Sequence, residues 1–420
     1  MRMKFLSRVG FAGLLLGATG GLPAAAQDIV PGDVARGITV LTRPRPDFDP
    51  LGVRLGAFQL DAALESGAGY DSNVFGRSTN VVSDGFAGES ANVSLNSLWS
   101  THALGVSGQM NGRQYFSRTE LDWTDWNLGG FGRYDFSPYT SMDLRYRHYR
   151  EHYDVFNFDV QSAGIVRPVP FNSDEVVLSG ATQLNRFGAN ASFTYRTYDF
   201  QNVPEISLFP TSLNSFNTII GVLGGSYAFA PGRYVTAQVQ LQDITYTNNA
   251  QSFRNSFTYA GLVGVQYDFN GIWQGRLSIG YRRREYQGPG IKPLEGPAVE
   301  GELIWAPTLL TTVGLRVSRT IEESIRQNAV SYERLVGGIT VDHEYRRNVI
   351  LSGAVQVSNY NYQAPSQSAT DMNIIGGGTW MINRNLALVG SYQYSQRLQA
   401  TGGFNEFERH LVQFRLRLAL

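Results

Sequence analysis

The fold this sequence predicts is all-β: a transmembrane, antiparallel, up-and-down barrel of roughly 18 strands, with short turns at one end and longer loops at the other. Three observations predict it. The chain closes on Val412-Gln-Phe-Arg-Leu-Arg-Leu-Ala-Leu420, where Val412, Phe414, Leu416, Leu418 and Leu420 alternate with Gln413, Arg415 and Arg417. Strand side chains alternate with period two, so one face is oily and the other polar. The same alternation recurs from Leu55 onward in segments of about 10–15 residues, separated in turn by very short and longer connectors. Finally, the first 26 residues read as a secretory signal.

That signal has a basic start (Arg2, Lys4, Arg8), an apolar run from Val9 to Ala18, and an Ala-x-Ala site within Pro23-Ala-Ala-Ala26. No Cys follows the apolar run to carry a lipid anchor, and the sequence contains no Cys anywhere, which removes disulfides and thiolate metal sites. Residues 27–54 follow as a leader; Arg43-Pro-Arg-Pro-Asp-Phe-Asp-Pro50 has too many prolines for a helix or a central strand. Residues 55–420 are the barrel.

Without Arg2, Lys4 and Arg8 the chain has 32 basic and 35 acidic groups, a net charge of −3. That balance argues against a nucleic-acid partner. Aromatics make up 12% of the chain and the mean hydropathy is −0.20. This suits a barrel, where only the lipid-facing half of each strand is apolar. After residue 26 the sequence holds no run of about 20 apolar residues, as a membrane helix requires.

The short connectors are Trp99–His102, Phe136–Tyr139, Asn185–Gly188, Ala230–Arg233, Phe269–Ile272, Ala306–Leu309, Tyr345–Asn348 and Ile382–Asn385. Several carry Asn-Gly, Pro-Gly or Asn, residues that accept turn dihedrals. Between them lie longer stretches: Asp71–Gly85, Glu151–Ser173, Asp199–Leu213, Gly288–Gly296 and Tyr360–Thr370. An even strand count places both termini in the periplasm. A 16-strand barrel is the alternative, if the hairpin in 112–136 fails. Aromatics beside the short turns, among them Tyr134, Phe136, Tyr227, Trp305, Tyr345 and Trp380, fit a membrane-interface girdle.

Alternation also assigns faces. Leu277, Ile279 and Tyr281 face lipid, and Arg276, Ser278, Gly280, Arg282 and Arg284 face inward. By the same rule the expected pore lining is Arg145, Arg147, Arg276, Arg282, Arg316, Arg415, Arg417, Gln238, Gln240, Glu300 and Glu302. Asp61, Glu65, Asp342 and Glu344 are further inward acids. Amides and hydroxyls exchange hydrogen bonds with sugar hydroxyls at little net cost, and Arg binds uronate or phosphate bidentately.

Catalytic and metal chemistry find little support. His148 and His152 lie about 13 Å apart on a strand, too far to share an ion. Asp154 or Asp159 could pair with either histidine in a hydrolase, but no Gly-x-Ser-x-Gly motif accompanies them. The expectation is a chain with no catalytic residues, no cofactor and no metal.

Arg43-Pro-Arg-Pro-Asp-Phe-Asp-Pro-Leu-Gly-Val-Arg54, then Gly69-Tyr-Asp-Ser-Asn-Val-Phe75, then Trp99-Ser-Thr-His-Ala-Leu104, resemble the outer-membrane β-barrel porin 2 family of Gram-negative bacteria. Tyr70, Asp71 and Asn73 are the signature residues, and Asp71 and Asn73 read locally as caps of the first long loop. The resemblance implies an outer-membrane address and association with exopolysaccharide secretion. It also implies a periplasmic polysaccharide-export protein as partner and polysaccharide as cargo. The fold itself implies contact with lipid, lipopolysaccharide and the barrel-assembly machinery. The expected function is therefore a passive conduit for exopolysaccharide. The alternatives are a general or solute-specific diffusion porin, or a plugged barrel displaying loops 151–173 and 199–213.

Overall fold

The computed structural model describes residues 39–204, 210–269, 272–326, 329–402 and 406–420. The expected signal segment 1–26, the start of the expected leader, residues 205–209 of one long loop and Asn270-Gly271 of one short turn lie outside them. A short strand β1 (Val53–Leu55) precedes eighteen long ones. These are β2 (Phe58–Asp71), β3 (Asp84–Ser97), β4 (Ala103–Tyr115), β5 (Trp123–Ser137), β6 (Thr140–Tyr153), β7 (Val169–Leu184), β8 (Phe187–Phe200), β9 (Phe216–Ala230) and β10 (Arg233–Tyr246). The second half comprises β11 (Ser256–Phe269), β12 (Trp273–Tyr286), β13 (Leu294–Thr308), β14 (Thr311–Glu323), β15 (Ser331–Arg346), β16 (Val349–Gln363), β17 (Ser366–Met381), β18 (Leu386–Ala400) and β19 (Glu408–Ala419).

Every strand from β2 to β19 pairs antiparallel with its sequence neighbours, and β19 pairs with β2 in the register Phe414↔Ala68 and Arg417↔Glu65. The sheet therefore closes on itself, which removes its edges. Below the end of β19, β1 continues the seam by pairing Val53 with Leu60. Hairpin β4–β5, the one whose loss would leave 16 strands, is intact from Ala103↔Arg133 to Arg113↔Trp123.

The closed sheet separates two environments. Phe414 is 69% exposed, and Leu64, Leu144, Tyr146, Leu223, Val239, Leu277, Ile279 and Leu351 are exposed likewise; Arg409, of opposite parity on β19, is buried. An exposed apolar belt around a closed sheet is stable only against hydrocarbon. Trp99, Tyr134, Phe136, Tyr139, Phe187, Trp273, Tyr345 and Trp380 crowd the short-turn end, with Trp273 stacked on Trp305 at 5.0 Å. Amphipathic rings at that height mark a membrane–water boundary.

Two-residue turns between β7 and β8 and between β9 and β10 use Asn185 (φ 53°) and Gly232 (φ 69°) in the left-handed region. Two readings change. The stretch Tyr360–Thr370 is no loop: β16 and β17 run through it to a turn at Ala364-Pro365, with Tyr362↔Gln367 still paired. Its tyrosines, serines and Gln look loop-like in polarity but occupy alternating strand positions. The turn expected at Ala306–Leu309 falls at 309–310, because β13 continues through Pro307 across a bulge.

Candidate functional site: the barrel interior

The inner face is polar over the half nearer the short turns. Gln238 and Gln240 of β10 each donate to Glu300 of β13 at 3.4 Å. Arg282 of β12 reaches Gln240 Oε1 at 3.2 Å, Glu300 Oε1 at 3.3 Å and the Arg319 carbonyl at 2.7 Å. Arg276 lies 3.9 Å from Glu302 on the adjoining strand. Across the barrel seam Arg415 and Arg417 flank Glu65 at 3.7 and 3.8 Å. Asp342 accepts from Ser352 Oγ at 2.6 Å. Arg147 donates to Tyr149 Oη at 3.2 Å, and Arg145 shares its face opposite Phe131 and Val177. Arg316 is exposed, opposite Glu302 in register. All eleven residues expected to line a pore thus share the inner parity.

Charge is unevenly spread around this wall. Strands β7 to β11 present Ser179, Gln183, Asn190, Ser192, Thr194, Ser226, Thr236, Gln238, Gln240 and Gln266 on that face. The charged groups concentrate on β12–β15, β19, β2 and β4–β6, the last with Arg113, Arg133, Asp143, Arg145 and Arg147. Arg196 of β8 and Glu175 of β7 pair nearer the loops. Arg284, expected to face open lumen, instead lies buried beneath the loops: it is ion-paired to Glu323, and its Nε donates to Thr258 Oγ1 at 2.8 Å.

At the long-loop end the interior is filled. Residues 154–168 leave β6 and form a five-residue helix, α1 (Phe158–Ser162), capped by Asn157 Oδ1, which accepts from Asp159 N at 2.8 Å. Phe158 packs on Tyr360 and Tyr362 of β16, with ring centroids 6.2 and 5.2 Å away. In a ring of eighteen strands β16 stands nine from β7, so this loop spans the full diameter. Asp159 accepts hydrogen bonds from Tyr362 Oη (2.5 Å), Ile325 N (2.8 Å) and Ser324 Oγ (2.9 Å). Burial pushes its carboxyl up from the ordinary range, against the opposing pull of these donors and of Arg326.

Other loops complete the filling. Val160 and Ile165 join Tyr153, Phe171, Tyr198, Phe216, Ile244, Tyr246 and Ile325 in one apolar cluster. Val74 of the first long loop joins Phe86, Tyr115, Leu121, Val155 and Leu411 in a second. Arg254 ties three loops together, donating to Asn214 Oδ1 at 2.7 Å, to the Val330 carbonyl at 2.8 Å and to the Ser324 carbonyl. Arg397 chelates Asp371 at 2.7 and 3.0 Å and holds the Phe156 carbonyl at 3.1 Å. Arg409 stacks on Phe156 at 3.7 Å. Such buried guanidiniums are tolerable because each has carboxylate, carbonyl or aromatic partners.

Asp71 and Asn73 do cap the first long loop: Asp71 Oδ1 accepts from Asn73 N at 3.1 Å, and Asn73 Oδ1 from Arg77 N at 3.0 Å. Asp71 also holds Arg409 at 2.5 Å, while Tyr70 points outward. The histidines find partners other than those considered from sequence. His148 pairs with Asp174 and His152 with Asp125, each at 2.8 Å; Asp154 accepts from Phe156 N, and Asp159 lies in the plug. Among the described residues no three His, Asp or Glu side chains are grouped to hold a metal ion.

The short-turn end holds a part of the leader. Arg45 is buried, donating to Glu344 Oε2 at 2.8 Å and to the Val40 carbonyl at 2.6 Å. Val40 N donates to Thr312 Oγ1 at 2.9 Å, Arg43 to the Leu309 carbonyl at 3.4 Å, and Arg384 to the Pro46 carbonyl at 3.0 Å.

A closed eighteen-strand barrel with an apolar outer belt and a polar inner wall defines an outer-membrane β-barrel of the porin class. The chain belongs to the family described as "Putative beta-barrel porin 2", matched over residues 45–420. No protein of curated function matches it. Solved structures similar to it include OpdK of Pseudomonas aeruginosa with vanillate (TM-score 0.45, 11% identity, 86% of this chain and 99% of that one). A BenF-like porin from Pseudomonas fluorescens Pf-5 is similar at TM-score 0.48 and 10% identity, over 87% of this chain and 100% of that one. A mutant of the ferric enterobactin receptor PfeA from Pseudomonas aeruginosa gives 0.44 and 6%, over 86% and 80%.

Proposed function

We propose that this protein is a gated outer-membrane channel through which exopolysaccharide leaves the cell, with both termini and the short turns in the periplasm and the long loops outside. The observation that carries the reading is the inner wall itself. A band of amides and hydroxyls on β7–β11 stands beside a ladder of Arg–carboxylate pairs on β12–β15, and charged groups on β19, β2 and β4–β6 continue the polar wall. Neutral hydrogen-bonding groups let a hydrated sugar chain trade water contacts for wall contacts and move on, since no single exchange gains much. Paired arginines keep the rest of the wall polar without a strong net field to trap an anionic polymer.

No bound nucleotide and no covalent step enter this scheme; movement is driven from the periplasmic side. An eighteen-strand wall is wide enough for a hydrated passage once the loops withdraw. Pore-lining roles fall to Arg145, Arg147, Arg276, Arg282, Arg316, Arg415, Arg417, Gln238, Gln240, Glu300 and Glu302. The test is secreted polysaccharide in the native host with the gene deleted and restored. Loss of surface polymer with periplasmic accumulation, reversed on restoration, is expected. Normal output would transfer the reading to diffusion of small solutes.

The apolar packing of loop 154–168 favours a second reading, a permanently plugged barrel. Conductance of the Phe158→Ala variant separates the two: a channel opens, whereas a permanent plug stays silent.

A further inference from the structure

The contacts of residues 39–50 have a feature a passive leader does not need. The segment does not join the sheet; Pro44, Pro46 and Pro50 deny it the donors for a strand. It is fixed instead by side chains, and the central one is Arg45. The Arg45 guanidinium binds the segment's own turn through the Val40 and Arg43 carbonyls, and binds the wall through Glu344. Glu344 lies on the inner face of β15, is 3% exposed, and receives Arg43 at 3.5 Å and Arg347 at 3.7 Å as well. Three guanidiniums thus converge on one buried carboxylate, two of them from the segment. A second anchor, Thr312, is a buried inner-face residue of β14.

Beyond Pro50 the segment reaches the wall through the three-residue β1 and its left-handed Gly56 turn (φ 62°) to β2. A piece of chain tethered at the β2 seam and pinned by polar contacts at β14–β15 crosses part of the opening between them. The buried Glu344 carboxylate, reached by both Arg45 and Arg43, is the centre of that hold. Removing Glu344 strands the buried Arg45 guanidinium, and reversing Arg45 sets two carboxylates against each other in the same buried site, so such a contact favours either a fully seated or a fully released arrangement.

We propose that residues 39–50 form a periplasmic strap that narrows the channel and is latched by the Arg45–Glu344 ion pair, so that breaking the pair opens the channel from the periplasmic side. The inference rests on the channel reading and the proposed orientation, and is independent of which solute passes.

The test uses the full mature chain carrying Phe158→Ala, so that the seated loop-end plug does not mask conductance, refolded in planar bilayers and in proteoliposomes. A Thr312→Cys variant, in a chain with no other cysteine, reports the strap by its labelling with a membrane-impermeant maleimide. Adding Arg45→Glu should raise the labelling rate by at least about tenfold and enlarge single-channel conductance in the same bilayer. Glu344→Arg alone should act the same way, and combining it with Arg45→Glu should restore slow labelling and low conductance. A heat-modifiable gel shift in every variant confirms an intact barrel. Unchanged labelling and conductance in Arg45→Glu, with the shift intact, would overturn the strap. Faster labelling with unchanged conductance would also overturn it, because the segment would then move without narrowing the passage. Silent channels in all variants alongside fast labelling in Arg45→Glu would count against the channel reading instead.

Discussion

Arg409 Nη2 lies 2.5 Å from Asp71 Oδ2, joining the last strand of the barrel to the first at the loop end of the seam. Both side chains are buried, Tyr115 Oη donates to the same carboxylate at 3.0 Å, and the Arg409 guanidinium stacks on Phe156 of the plugging loop. The pair therefore couples closure of the sheet to seating of the loop.

Arg409→Ala should cost about 3–5 kcal/mol by stranding Asp71 in a buried site. The midpoint of the heat-modifiable gel transition should fall accordingly. The double variant with Asp71→Ala should lose less than the two single losses together, since the stranded charge is gone. An Arg409→Ala barrel that melts like the native one would show that the seam does not depend on this contact.

Phe158→Ala should loosen the plug and leave the barrel standing. At the far side of the loop's span the ring packs on Tyr360 and Tyr362, and deleting a buried aromatic costs about 3–5 kcal/mol. Uptake of small hydrophilic solutes by proteoliposomes should rise, with the gel shift unchanged.

Plug seating should depend on pH through Asp159. Burial raises its carboxyl pKa, so the seated loop prefers the protonated form. That contribution is fully present below the ordinary carboxylate pKa and is lost as pH rises through the raised value. Hydrogen exchange in 154–168 should therefore quicken as pH rises through that window, after correction for the intrinsic rate. Asp159→Asn should flatten the profile; an unchanged profile in that variant would assign the dependence elsewhere.

Arg316→Glu should shift the bilayer reversal potential toward cation selectivity, because this side chain is exposed on the inner face. Arg282→Glu with Arg284→Glu is a poorer probe than alternation suggests: Arg284 is locked to Glu323 under the loops, and reversing it would disturb folding.

The strand count and both faces were legible in the sequence, because one closed sheet between lipid and water imposes period two on every strand. Leu277, Ile279 and Tyr281 against Arg276 and Arg282 left little choice. Alternation has nothing to say about loops, so a plugged barrel stood only as an alternative and the residues that fill it went unread, although Phe156, Phe158, Val160 and Ile165 make that stretch too oily for a solvated loop tip. The Arg45–Glu344 contact was equally hidden: its partners lie 299 residues apart and the leader has no period at all. His148 and His152 stood out for their spacing, yet their partners, Asp174 and Asp125, come from neighbouring strands.

The central claim, that polymer passes through this barrel when the loop withdraws, is tested most directly by locking the loop in the native host. The chain has no cysteine, so Phe158→Cys with Tyr360→Cys creates a unique pair across the mouth. A short cleavable bis-thiol reagent should stop polymer release in this strain, and cleaving the reagent should restore it, with neither single-cysteine strain affected. Undiminished release while the pair is cross-linked would contradict the account.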